Sequence, residues 1–202
     1  MRPHKIRRKR FILALILEFA LIPGFVQRME AQTVDPQTAG AIDPALLAKA
    51  NAGDAASEVL VGESYASGRG VGQDYNQAAD WYRKAAEQGS IAGQLHLAAL
   101  YRDGGGKHFA RDMAQAAAWY RKAAEQGDVG AQATLGVLYS LGQGVLQSYV
   151  EAYYWLDLAA HVTGPNQERY AANRQMIGTH LTADELADVQ EREAKWLAAH
   201  PR

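Results

Sequence analysis

Imidazoles and carboxylates are the side chains of this chain best suited to move protons or hold a metal near neutral pH. There are six histidines, His4, His96, His108, His161, His180 and His200. Metal ligation and acid–base catalysis need such groups at short, fixed intervals. The six show no ligand spacing, and no His-Glu-x-x-His occurs. With no cysteine and no Gly-x-Ser-x-Gly, neither a thiolate nor a serine nucleophile elbow is available. Three Gly-x-Gly pairs invite a phosphate-loop reading: Gly68 and Gly70, Gly104 and Gly106, Gly142 and Gly144. Each pair follows a helical stretch rather than a strand, so that reading fails. No catalytic residue, cofactor site or metal site is expected.

What the chain does contain is a repeat. WYRKAAEQG runs from Trp81 to Gly89 and recurs unchanged from Trp119 to Gly127, and a decayed copy, WLDLAAHVT, starts at Trp155. Self-similarity at this period marks stacked supersecondary units that cannot bury their apolar faces alone. Tyr65, Tyr101 and Tyr139 precede the tryptophans, and Gly53, Gly89 and Gly127 precede the tyrosines. The units are 53–88, 89–126 and 127–162. Unit two carries two extra residues, in the glycine stretch around Gly104 to Lys107, where an insertion disturbs no packed face. On this register His96 stands where the other units have Leu60 and Thr134, and reads as a partly buried or groove-lining side chain. His161 stands where they have Glu87 and Glu125, and reads as decay of the repeat.

Two amphipathic helices are expected in each unit. The first spans about 55–66 in unit one, with Val61, Gly62 and Tyr65 on one stripe; its equivalents are Leu97, Ala98, Tyr101 and Leu135, Gly136, Tyr139. Large and small residues alternate there, which lets a neighbour approach over the small one. The second spans about 75–88, buries Ala78, Trp81, Tyr82 and Ala85, and starts at Asp74, Asp112 or Ser148, all good N-caps. The first glycine of each pair is expected to take the left-handed cap that ends helix one. Segment 43–52 reads as a lone capping helix, with Asp43 as N-cap and Pro44 at the first position. Segment 163–202 reads as a C-terminal cap: one helix from about 167 to 177, then another opened by a Thr182/Glu185 capping box. On that last helix Leu186, Val189, Trp196 and Leu197 share a face that Glu193 interrupts.

Ala131 to Val145 reads Ala-x-x-x-Leu-Gly-x-x-Tyr-x-x-Gly-x-Gly-Val, and the Ala-x-x-Trp-Tyr-x-Lys-Ala-Ala-Glu-Gln-Gly pattern follows the glycines of unit one. Over about 43–162 the chain resembles the SEL-one-like repeats, 36-residue relatives of tetratricopeptide repeats. It departs from them at Ser57 and Gly93 (first Ala), Ala98 (Gly), Lys107 (Val) and at Leu156-Asp157-Leu158 in unit three. The resemblance implies an all-α, superhelical solenoid of antiparallel helix pairs, used as a non-enzymatic protein-interaction module. Some cysteine-rich members hydrolyse β-lactams, but this chain lacks their disulfides and any Ser-x-x-Lys.

The first ten residues carry Arg2, Lys5, Arg7, Arg8, Lys9 and Arg10, followed by an apolar run from Phe11 to Val26. A basic stretch before about fifteen apolar residues reads as a signal peptide over 1–31, or as an uncleaved inner-membrane anchor. The expected location is exported, periplasmic or secreted, with membrane contact only through an uncleaved segment. A polar, pattern-free lead follows over 32–42. Seven of the 21 basic and two of the 22 acidic residues lie in 1–31, which leaves 14 basic against 20 acidic and a net charge of −6. A net-acidic domain is a poor nucleic-acid binder, so no nucleic-acid partner is expected.

By analogy with tetratricopeptide grooves, the binding surface is expected on the first helices. Its residues would be Val59, Glu63 and Ala66; Leu95, Ala99 and Arg102; and Ala133, Val137 and Ser140. Glu63 and Arg102 would set the register of an extended peptide or partner helix. The chain's own C-terminal helix is a rival occupant. Two other functions stay open: binding of an envelope glycan such as peptidoglycan, and a hydrolase or enzyme regulator with a site between repeats.

Overall fold

A computed structural model describes residues 41–201. The chain divides into two units, 1–37 and 38–202, and the described residues lie in the second. The expected signal or anchor segment, and most of the lead, lie outside them. Among the described residues there are nine helices: α1 (Pro44–Asn51), α2 (Ala55–Ser67), α3 (Tyr75–Glu87), α4 (Ile91–Asp103), α5 (Met113–Glu125), α6 (Val129–Leu141), α7 (Tyr149–Ala160), α8 (Gln167–Gly178) and α9 (Ala183–Ala199). Helices α1 to α8 pack in chain order, each on the next, while α9 packs on α7. This is the expected all-α architecture of stacked helix pairs.

The starts of the helices follow from side-chain caps. Asp54, Ser90 and Asp128 open the first helices and Asp74, Asp112 and Ser148 the second ones, each accepting from an otherwise unbonded backbone amide. Asp43 caps α1, and Thr182 with Glu185 closes a capping box on α9. The helix ends depart from expectation at one place. Gly68 and Gly142 take the left-handed conformation, but Gly104 has φ 74° and ψ 174°. The two extra residues cause this: they let the Gly105 amide donate to the Phe109 carbonyl at 2.8 Å, and Phe109 is buried beneath the small loop this closes. Asp112 still donates to Tyr101 O, as Asp74 does to Tyr65 O, so α5 starts in register.

The core is built from the repeated positions. Trp81, Trp119 and Trp155 are buried, with Tyr82 and Tyr120 beside the first two and Leu156 in the third unit. Helices cross closely at the small residue of helix one. A Cβ on Gly62 would meet Tyr82 Cε1 at 2.6 Å, and one on Gly136 would meet Leu156 Cγ at 2.8 Å.

Polar contacts then fix each unit to the next. Arg83 on α3 donates to the Tyr101 hydroxyl on α4 at 3.0 Å, and Arg121 on α5 donates to the Tyr139 hydroxyl on α6. Gln94 and Gln132 donate to the main-chain oxygens of Ala86 and Ala124 at 3.3 and 3.2 Å. Helix α8 repeats this docking: Gln167 donates to Ala160 O at 3.3 Å, and Arg174 donates to Asp157 Oδ1 at 2.6 Å. Asp157 holds the place of Arg83 and Arg121, and Arg174 the place of the tyrosines. Helix α8 is therefore a fourth first helix, pinned by a contact whose donor and acceptor have changed sides.

Candidate functional site

On each first helix, positions one turn apart remain open to solvent: Ala56, Leu60, Glu63 and Ser67 in α2; Ala92, His96, Ala99 and Asp103 in α4; Gly130, Thr134, Val137 and Leu141 in α6. All are half-buried or exposed. They recur at i, i+4, i+7 and i+11, one face of each helix. Leu60 is 48% exposed, while Leu141 at the end of α6 is half-buried.

Of the expected groove residues, Glu63, Ala99 and Val137 belong to this face. Val59, Ala133 and Ser140 do not: all three are buried. The helical pitch turns the first two about 100° away from the open stripe and into the stack. Ala133 packs in the cluster of Ala159, Ala160 and Tyr170, and the Ser140 hydroxyl donates to Val137 O. Ala66 and Leu95 are half-buried and pack against the main core. Arg102 does not point a charge at a ligand, since it donates to the Tyr120 hydroxyl at 3.0 Å and is paired with Asp103 at 2.7 Å. His96 is partly buried on this face, as its register position implies, whereas Leu60 and Thr134 at the same position are not among the expected groove residues. The repeat register aligns Leu60 and Thr134 with His96, but their unlike identities hide a common exposure.

His96 is built into this surface. Its ring stacks on Tyr82 at 4.9 Å, and Nε2 lies 3.3 Å from Glu63 Oε1. Burial pulls its pKa below the usual imidazole range, against the opposing effect of Glu63. The same burial holds the Tyr82 phenol far above its normal range and pushes Tyr120 up to about 12.

The C-terminal helix leaves the first-helix face uncovered in its main packing, because α9 lies on the second helix α7. Arg192 on α9 pairs with Glu151 at 2.8 Å and stands over the Tyr154 ring, while Trp196 packs over Gly127. Glu193, expected to leave this face partly open, is buried. Nor is His161 merely decay of the repeat: its Nδ1 lies 2.7 Å from Glu193 Oε1 and 4.0 Å from Asp157 Oδ1. Burial first, and Asp157 second, push the Glu193 carboxyl above the usual carboxylate range. Among the described residues no helix is long and apolar enough to cross a membrane.

A family model described as Sel1 repeat matches residues 55–90, 91–128 and 129–161. A Sel1 repeat protein from Oxalobacter formigenes has a similar structure: TM-score 0.56 and 31% identity, over 65% of this chain and 95% of that one. A second structure is c5321, a protective antigen of uropathogenic Escherichia coli with an SLR fold. It matches with TM-score 0.47 and 27% identity over 94% of this chain, which spans 45% of the antigen's length. No curated protein matches.

Proposed function

The chain belongs to the Sel1 repeat family, whose arrays are generally protein-interaction scaffolds, and from that premise we propose that it is a non-enzymatic adaptor of the cell envelope. It would be exported through its basic, apolar N-terminal segment and would bind an extended peptide or a partner helix on its first-helix face. The observation that supports this reading most is the open stripe through Leu60, His96 and Thr134. It mixes small, apolar and polar side chains along one face of each first helix, while the repeat's tryptophans are buried in the stack. Partners would be held by contact along the stripe at Leu60, Ala99 and Val137, with Glu63 as the acidic point that a basic or amide-bearing residue would meet. Such a surface offers a glycan no exposed aromatic platform, which favours a peptide.

The test is cross-linking in intact cells with the full-length chain, beside a Leu60→Glu/Thr134→Glu variant that places charges on solvent-facing positions. Envelope proteins recovered with the wild type and lost with a folded variant would support the reading. Equal recovery with both, or retention on purified peptidoglycan instead, would overturn it. Detection of the chain only in the cytoplasm would remove the envelope assignment while leaving the groove intact.

A further inference from the structure

The seam between α7 and α9 gathers three titratable side chains, of which only Asp157 has a part in stacking, through Arg174. Asp157 and His161 lie one turn apart on α7, and Glu193 reaches them from α9. One ligand atom from each lies within 4.8 Å of the others. The Nδ1 of His161 is 2.7 Å from Glu193 Oε1, 4.0 Å from Asp157 Oδ1 and 3.0 Å from the main-chain oxygen of Asp157. Metal–ligand bonds of about 2.0–2.2 Å set neighbouring donor atoms roughly 3.0–3.5 Å apart, within the span of these separations.

The surroundings are those of a cation site. The Asp157 and Glu193 side chains are 6% and 10% exposed. Glu193 Oε1 is buried, and its close neighbour is His161 Nδ1 at 2.7 Å, a contact without hydrogen-bond geometry, while that nitrogen also lies 3.0 Å from the Asp157 main-chain oxygen. A buried carboxylate oxygen whose neighbouring nitrogen is not aligned to donate is costly and is relieved by a coordinated cation. From α8, Arg174 donates to Asp157 Oδ1 at 2.6 Å, which fixes that carboxylate and leaves Oδ2 as its oxygen without a protein donor.

We propose that Asp157, His161 and Glu193 form a binding site for a divalent transition-metal ion, zinc(II) by its ligand set, which clasps α9 to α7. The imidazole separates it from the all-oxygen sites of calcium and magnesium, and the absence of sulfur from copper(I) sites. On binding, the ion takes the Nδ1 lone pair, and the proton held there is exchanged through solvent to Nε2, so that the ligand is the neutral ring. The site is independent of the first-helix groove, so either can fail without the other.

The test uses the untagged full-length chain, dialysed against zinc(II) and assayed for bound metal, with His161→Ala, Glu193→Gln and His180→Ala in parallel. His180 stacks on Tyr149 away from the site and serves as the control. The wild type and His180→Ala should hold one more equivalent of zinc than His161→Ala and Glu193→Gln, with affinity at least about tenfold higher. Zinc should raise Tm only where the site is intact, and cobalt(II) should give visible d–d bands with the wild type alone among itself, His161→Ala and Glu193→Gln. The His161 side chain is 45% exposed, so its removal should spare the fold, and that variant decides if Glu193→Gln does not fold. Wild type that binds no more zinc than His161→Ala would overturn the proposal and leave the cluster as an ion-pair network.

Discussion

The junctions between units one and two and between two and three are made alike, and the junction after unit three is made in reverse. In the first two, an arginine on the second helix donates to a tyrosine hydroxyl on the following helix. In the last, Asp157 on α7 accepts from Arg174 on α8. The backbone stacking is the same in all three, as the recurring Gln94, Gln132 and Gln167 bonds to preceding main-chain oxygens show. The shared packing supplies the fold, and the polar pin is a separate layer that can be re-keyed. An Arg–Tyr pin keeps one partner neutral. The Asp–Arg pin is an ion pair with a carboxylate almost removed from water, which makes it stronger when intact and more damaging when halved.

The comparison can be broken first at the layer all junctions share. Trp119→Ala removes a buried ring and is expected to cost about 3–5 kcal/mol in urea unfolding. Breaking only the reversed pin comes next. Asp157→Arg should destabilise by about 3 kcal/mol, by setting two cations together in place of a pair. Adding Arg174→Tyr should recover more than half of that loss by rebuilding the pin in its ordinary sense. A double-mutant cycle reads this directly, and no recovery would mean the junctions are not equivalent.

Steric closeness gives a smaller contrast. Gly136→Ala, which places a Cβ 3.0 Å from Ala152 O as well as against Leu156, should cost roughly 1–3 kcal/mol. Gly62→Ala meets a ring and should cost about the same unless Tyr82 gives way. The ordinary pins themselves are modest. Tyr101→Phe and Tyr139→Phe should each lower stability by about 0.5–1.5 kcal/mol, measured by chemical denaturation. The smallest effect is one of pH. Burial favours neutral His96, so its contribution is present above the usual imidazole pKa and is lost as pH falls below it. Thermal melts of His96→Gln should therefore fall less between pH 7 and pH 5 than those of the wild type.

The helices, their caps and the aromatic core were legible because each rests on local chemistry repeated at a fixed period. Asp74, Asp112 and Ser148 cap as their side chains dictate, and WYRKAAEQG buries its aromatic face in both copies. Gly104 broke the pattern because a two-residue insertion changed which backbone groups could pair, a matter of loop closure rather than of residue type. On the candidate site, Val59 and Ala133 show how a shift of one position along a helix exchanges surface for core. The meeting of His161 with Glu193 across 32 residues was illegible, because nothing in either segment specifies that α9 folds back onto α7.

The reversed pin also bears on how the chain finds its folding register. Units one and two share nine identical residues, so α5 and α3 are nearly interchangeable docking partners for a helix bearing the tyrosine. Helix α8 is not deceived by that degeneracy. Docked against α5 or α3, Arg174 would face Arg121 or Arg83, and a like-charge contact at a half-buried position would reject the slip. Only α7 presents a carboxylate there. An exact duplication within the second helices, which on its own would let the array close one unit short, is in this way given a single place to end.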